Sequence, residues 1–194
     1  MKTLTKILGT AAILATFAVT SASAAQAFYN YLDGYTDCSS LQDFEHRYSY
    51  FKKSCDLGEK GINCYYAAQP ELMDLIFRYE TGFLNSSKEQ TDIGFGLTRI
   101  GIQHLKRGCD LGDYKSCKRL ITAYGATQYF FKYIKTRNGW WWTEEDINNY
   151  KERAKNWWTN IDIEYYKKRE QELKEAKEKA EAEKNLGNDD ISGW

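Results

Sequence analysis

The chain has 194 residues, with 27 Lys and Arg balanced by 27 Asp and Glu, two His, five Cys and one Pro. Zero net charge argues against a nucleic-acid binder driven by bulk electrostatics, and two histidines leave little room for an imidazole-rich metal site. At 42% hydrophobic and 28% charged residues, with a mean hydropathy of -0.67, the composition is that of a folded core with a strongly solvated extension, and the scarcity of proline favours helices over a turn-rich β fold.

Residues 1–27 have the layout of a cleaved secretory signal: Lys2 and Lys6, an apolar run from Ile7 to about Val19, then the small-residue sites Ala22-Ser23-Ala24 and Ala25-Gln26-Ala27. The run is shorter than the roughly 20 residues a spanning helix needs, so no stable membrane span is expected after cleavage. The mature chain is expected in the periplasm or outside the cell. Cys38, Cys55, Cys64, Cys109 and Cys117 all follow the signal, which puts them where disulfides form. Their local spacings of nine and eight, with neither His46 nor His104 completing a tetrahedral set, do not suit zinc, and no metal or cofactor is expected.

The next feature is an internal repeat. Tyr50-Phe51-Lys52-Lys53-Ser54-Cys55-Asp56-Leu57-Gly58 aligns with His104-Leu105-Lys106-Arg107-Gly108-Cys109-Asp110-Leu111-Gly112, and a second cysteine, Cys64 or Cys117, follows in each copy. Phe44, Tyr48 and Phe51 before Cys55, and Leu97, Ile100 and Leu105 before Cys109, mark one apolar helical face each. Lys52, Lys53, Lys106 and Arg107 complement a helix C-terminus, and Gly58 and Gly112 stand where a left-handed residue ends a helix. A returning helix then opens at the second cysteine. Each unit therefore reads as a helical hairpin whose two cysteines flank its base, within reach of a disulfide.

The run Lys106-Arg107-Gly108-Cys109-Asp110-Leu111-Gly112-Asp113-Tyr114-Lys115-Ser116-Cys117-Lys118-Arg119-Leu120, followed by Tyr124-Gly125, closely resembles the disulfide-bearing Sel-like repeat of the Helicobacter cysteine-rich protein family. That resemblance implies a secreted α/α solenoid related to tetratricopeptide repeats, with one disulfide per hairpin: Cys55 with Cys64 and Cys109 with Cys117. The first unit, Lys52 to Ala68, departs from the pattern, since its cysteines are one residue further apart and Ala67 replaces a leucine. The resemblance covers about Phe44 to Gly125.

The spacing between the units exceeds one repeat, and the excess is assigned to an inserted helix near 69–90. Pro70 is expected at its first position, with Leu72, Leu75, Ile76 and Tyr79 as its apolar stripe ending near Gly82. Cys38 is the odd cysteine. A helix capped by Ser39 or Ser40 and running to Cys55 places it at the far end from the Cys55 and Cys64 thiols, so a free thiol, a bridge between chains and a pairing elsewhere stay open.

Residues 28–142 thus read as the repeat domain with an aromatic cap. Tyr129, Phe130, Phe131, Tyr133, Trp140, Trp141, Trp142, Trp157 and Trp158 suit either an exposed binding surface, carried by the five tryptophans, or a cover over the open end of the repeats. Asn138-Gly139 marks a turn, and Thr143 with Asp146 a capping box. One long helix is expected over 143–186. Its first part is amphipathic with heptad-like spacing at Ile147, Tyr150, Ala154, Trp157 and Ile161. Its second part is charged, with Glu164/Lys168, Glu170/Lys174, Lys174/Glu178, Glu175/Lys179 and Lys177/Glu181 four apart. Residues 187–194 read as a disordered tail.

Tests for chemistry mostly fail. Ser49-x-x-Lys52 has the β-lactamase spacing, and the resemblance implies penicillin-binding or weak β-lactamase activity, but the Ser-Asp-Asn and Lys-Thr-Gly elements are missing from the sequence. Gly94-Phe95-Gly96 lacks the third glycine of a dinucleotide loop. Asn85-Ser86-Ser87 matches a glycosylation acceptor and equally a helix start. No catalytic residue is assigned. The fold class expected is all-α, a short α/α solenoid of disulfide-stapled hairpins followed by a long charged C-terminal helix. The function expected is a protein- or peptide-binding module of the cell envelope or exterior, with no nucleic-acid partner. Oligomers could form through Cys38 or by coiled-coil pairing of the C-terminal helix. The alternative is a weak β-lactam-hydrolysing or penicillin-binding, cell-wall-associated enzyme.

Overall fold

The computed structural model describes residues 32–73, 75–76, 83–84, 88–133, 135–136 and 142–189. The signal segment 1–27 lies outside these residues, as do the Asn138-Gly139 turn, Asn85-Ser86-Ser87, Trp140, Trp141 and 190–194 of the expected tail. The described chain is all-α. Its elements are α1 (Leu41–Leu57), α2 (Gly61–Glu71), β1 (Phe83–Leu84), α3 (Lys88–Asp110), α4 (Tyr114–Tyr133), β2 (Lys135–Thr136), α5 (Glu144–Lys155) and α6 (Ile163–Asp189). The two-residue strands pair in parallel, Phe83 opposite Lys135 and Leu84 opposite Thr136.

Local chemistry starts and stops these helices. The Ser40 hydroxyl accepts from the Asp43 N–H at the start of α1, and the Ser39 hydroxyl donates to Asp43 Oδ2 at 2.6 Å. The Ser39 hydroxyl bond, with the Ser40 hydroxyl and the Ser39 N–H also directed at the carboxylate, holds the Asp43 carboxyl below its ordinary range. At the far end Gly58 takes φ 73°; its N–H bonds Cys55 O at 2.9 Å and the Glu59 N–H bonds Ser54 O at 3.1 Å. In the second unit Gly112 takes φ 85°, and the N–H groups of Gly112 and Asp113 repeat those bonds to Cys109 O and Gly108 O. This paired closure needs a left-handed residue, which is why both copies carry glycine there. The turn sets the cysteines at the hairpin base: Cys55 and Cys64 are bonded with Cα atoms 4.7 Å apart, and Cys109 and Cys117 with Cα atoms 4.6 Å apart.

The second helices begin differently. Asp113 Oδ2 accepts from the Ser116 N–H at 2.8 Å and from its hydroxyl at 2.6 Å, capping α4. Lys60, at the same place before α2, makes no side-chain cap. In the first unit Asn63 instead donates to the buried Ser54 hydroxyl at 2.8 Å.

Pro70 does not open a new helix. It lies in the last turn of α2, where its missing N–H leaves the Tyr66 carbonyl, four residues back, without its helical partner. The Tyr35 hydroxyl, from the segment preceding α1, donates to that carbonyl at 3.1 Å. Of the expected inserted helix, Gln69–Glu71 belongs to α2 and Lys88–Gln90 to α3; Met73, Leu75 and Ile76 are helical, with Leu75 buried, and 77–82 lie outside the described residues.

The buried face of α3 also differs from the expected one. Ile100 is 41% exposed, Leu97 is half-buried, and the face turned inward is Gly94, Phe95, Thr98, Gly101, Ile102, Leu105, Gly108 and Cys109. Small residues carry it because α2 lies against α3 at close range. A Cβ on Gly101 would stand 3.0 Å from both Glu71 Cβ and Leu72 Cγ, and one on Gly108 would stand 2.2 Å from Ser116 Oγ and 2.9 Å from Gly61 O. The α2–α3 contact is the most extensive between helices; α1 packs on α2, α3 on α4, and α4 on α6.

The expected single helix over 143–186 is two. Thr143 and Asp146 form the capping box of α5, which ends at Lys155. A turn then follows, with the N–H groups of Trp157, Trp158 and Ile161 bonded to Ala154 O, Lys155 O and Trp158 O. Asp162 restarts the chain as α6 by accepting from the Glu164 and Tyr165 N–H groups at 3.1 Å. The break lets Trp157, Trp158, Ile161, Ile163 and Tyr166 enter one core with Phe95, Leu105, Leu120 and Tyr150. Beyond Leu173, α6 is exposed to Asn185. Lys174–Glu178 and Lys177–Glu181 are ion-paired there as expected, at 3.9 and 3.7 Å. Lys168 pairs instead with Glu172, and Lys179 with Glu183. The helix reaches Asp189, three residues into the segment expected to be disordered.

Three outcomes follow from this packing. Tyr35→Phe should lower stability by about 1 kcal/mol in urea unfolding, and by less in a Pro70→Ala background, where the substituted residue supplies the Tyr66 carbonyl with an N–H. Replacing either cysteine pair by serine should cost about 2.5 kcal/mol, the loop-closure value for rings this small. The Lys88 ammonium, 2.8 Å from Asp146, together with the Thr143 bonds, holds that carboxyl down at about 2. Because its folded value is depressed below the ordinary ~3.9, its contribution is in place above about pH 4 and is lost as pH falls through about 2. Carboxyl NMR titration should show that midpoint, and Lys88→Met should raise it.

Candidate binding groove

A trough of about 720 Å³ opens between α1 and α3, lined by Lys52 and Asp56 from α1 and by Gly96, Arg99, Ile100, Gln103, His104, Lys106, Arg107 and Asp110 from α3. The α3 residues recur every three or four positions, so they share one helical face over about 21 Å at 1.5 Å per residue. The trough sits on the side of α3 away from its small-residue face, which explains why Ile100 stays exposed.

Its charge is unbalanced. Four cationic side chains line it against two carboxylates. Lys52 is engaged with Asp56 at 2.7 Å and Lys106 with Asp110 at 2.8 Å. Arg99 and Arg107 are exposed, and neither has a carboxylate partner among the described residues. A neutral chain thus carries a local cationic excess on a concave surface.

Beneath the trough lies a buried polar chain. Glu71, 1% exposed at the end of α2, accepts from the Tyr48 hydroxyl of α1 at 2.6 Å through Oε1. Its Oε2 lies 2.6 Å from Nδ1 of His104 on α3. With Nδ1 committed to Glu71, Nε2 of His104 faces Asp56 Oδ1 at 3.4 Å. Burial and the Glu71 charge push the Tyr48 hydroxyl well above its ordinary value, keeping it a donor. Partial burial pulls the Asp56 carboxyl upward, but the Lys52 and His104 bonds and charges outweigh it and hold it below the usual range. The carboxylate facing the trough therefore stays ionised.

Asp110, the repeat-equivalent of Asp56, makes the corresponding link one unit on. It accepts from the Tyr166 hydroxyl of α6 at 2.8 Å while paired to Lys106. In both copies the Cys-Asp-Leu-Gly aspartate joins its own lysine, four residues back, to another helix, α3 in the first copy and α6 in the second. Leu57 and Leu111, which follow these aspartates, are exposed.

The other sequence candidates fall elsewhere. Cys55, Cys64, Cys109 and Cys117 are bonded pairwise and buried. Cys38 is unpaired and fully buried among Leu32, Tyr35 and Phe44, which withdraws its thiol from a bridge between chains. The tryptophan surface needs correction: Trp142, Trp157 and Trp158 are 5%, 7% and 8% exposed. Trp142 stacks edge-on against Tyr150, Trp157 against Phe95 and Trp158 against Tyr124. Their area is spent on covering α3 and α4, so these three offer no exposed platform; Trp140 and Trp141 lie outside the described residues. Ser49 is exposed on α1, His46 likewise, and the Lys52 amine is held by Asp56. Among the described residues no cluster of three or more His, Cys, Asp or Glu is placed to hold a metal ion, and no helix is long and apolar enough to cross a membrane.

Sequence reading missed Arg99 and Arg107, although a signal exists. Lys52 and Lys106 each have an aspartate four residues on, whereas the positions four away from Arg99 are Phe95 and Gln103, and those from Arg107 are Gln103 and Leu111. Compared with protein-family models, curated proteins and solved structures, the chain finds no match.

His104→Leu, which leaves Glu71 buried with one partner fewer, should cost about 3 kcal/mol in urea unfolding. The double variant with Glu71→Met should cost less than the sum of the single changes, since the buried carboxylate is then removed together with its imidazole partner.

Proposed function

We propose that this protein is a disulfide-stapled α/α solenoid of the Sel-like type that works in the periplasm or outside the cell as a protein- or peptide-binding module, with the α1–α3 trough as its docking surface. The observation that carries the reading is the trough itself: an elongated concavity spanning two stacked hairpins, with exposed arginines, the side chain most at home in recognition sites. The repeated aspartate links, Asp56 to His104 and Asp110 to Tyr166, support a solenoid in which α6 takes the place of a third unit's first helix. The polar outer surface of α6 then acts as the terminal cap that such stacks require. The secretory layout of residues 1–27 and the two disulfides support an oxidising compartment.

Gly96 offers the decisive test. A Cβ there meets nothing within 4 Å, so Gly96→Trp should fill the trough and leave the unfolding midpoint unchanged or slightly raised. The immobilised full-length protein, with both disulfides intact, should retain a partner from envelope or medium proteins that Gly96→Trp no longer retains. Equal retention by both overturns the assignment of the trough. Hydrolysis of a chromogenic β-lactam that disappears in Ser49→Ala would replace the binding reading with a hydrolytic one.

A further inference from the structure

We propose that the trough recognises an extended acidic peptide segment in which two carboxylates four residues apart are held by Arg99 and Arg107. This rests on the binding-module reading and specifies its ligand.

The trough follows α3 for about 21 Å and opens to solvent along its length, and an extended strand can lie along such a line of side chains with alternate residues turned toward it. Six extended residues, at about 3.3 Å each, fill the length.

Charge then sets the register. The Lys52 and Lys106 amines are occupied by Asp56 and Asp110, so the available cations are the two guanidinium groups. The Arg99 and Arg107 backbone positions are eight residues apart on one helix, about 12 Å along its axis. Along an extended chain, side chains on one side recur every two residues, and a four-residue step covers about 13 Å. Steps of two and six, about 7 and 20 Å, miss that distance, and a step of three puts the second carboxylate on the wrong side. Between the arginines the trough presents Ile100, an apolar contact for the intervening side chain, and exposed Gln103, which can both donate to and accept from the ligand backbone. The acidic groups facing the peptide, Asp56 and Asp110, lie beside their lysines and disfavour carboxylates at other registers.

The test is selection of random dodecapeptides displayed on phage against the oxidised full-length protein. The expected result is a consensus of two acidic residues separated by three. Synthetic peptides with that consensus should lose about tenfold in affinity on Glu→Gln change at either position, and equally in Arg99→Gln or Arg107→Gln protein, the loss of one charge-assisted contact. A consensus without the acidic pair, or with it at another spacing, overturns this inference; if those peptides are still excluded by Gly96→Trp, the binding-module reading stands. A selection that yields no peptide, or only peptides that bind Gly96→Trp unchanged, overturns both.

Discussion

A carboxylate held between helices and almost wholly out of water is tolerable only if its oxygens are hydrogen-bonded, because desolvating it costs several kcal/mol. Glu71 meets that condition with donors from two other helices, Tyr48 of α1 and His104 of α3, so one side chain ties the first hairpin to the second. The arrangement is possible only because α2 and α3 approach closely, and the glycines at 61, 101 and 108 remove the side chains that would hold them apart. Once His104 is pinned through Nδ1, its other nitrogen fixes Asp56, and Asp56 holds Lys52. The wall of the trough is therefore positioned by the core and depends little on exposed contacts.

The two copies of the repeated segment solve the same packing problem with different donors. The aspartate after the first cysteine reaches an imidazole in one unit and a phenol in the other, and the residue before that cysteine is Ser54 or Gly108 according to whether Asn63 or Ser116 must fit beside it. An exposed lysine–aspartate pair four apart contributes only a few tenths of a kcal/mol. Its repetition matters because it orients each aspartate toward another helix, Asp56 toward His104 of α3 and Asp110 toward Tyr166 of α6.

What could be read from the sequence was local. Cysteine spacing, the glycine at each hairpin turn, the Ser40 cap and the Thr143–Asp146 box depend on residues within a few positions of one another, and the structure places them as read. What could not be read depends on distant partners. Pro70 suggests a helix start because nothing nearby announces that Tyr35 will serve the Tyr66 carbonyl. The inward face of α3 escapes hydropathy periodicity because its contacts are made by Gly94, Thr98 and Gly101, which carry little apolar signal. The apparent single helix after Thr143 breaks where three aromatic side chains gain more by entering the core than a continuous helix could bury along one stripe. The trough arginines are visible only as an absence of carboxylates four residues away, a pattern that means nothing until the surface is known to be concave.

The cationic excess of the trough has a consequence that net charge conceals. At physiological ionic strength the screening length is about 8 Å, shorter than the roughly 12 Å of helix axis between the Arg99 and Arg107 backbone positions. For the proposed acidic peptide, each guanidinium would therefore act largely on its own ligand group, and a second carboxylate would contribute only if the peptide places it at the second arginine. A diffuse polyanion gains little from such a pair beyond one contact at a time, while a correctly spaced peptide makes both contacts in a single binding event. On the proposed reading selectivity resides in the spacing, and a protein with no net charge would discriminate among acidic partners without attracting all of them.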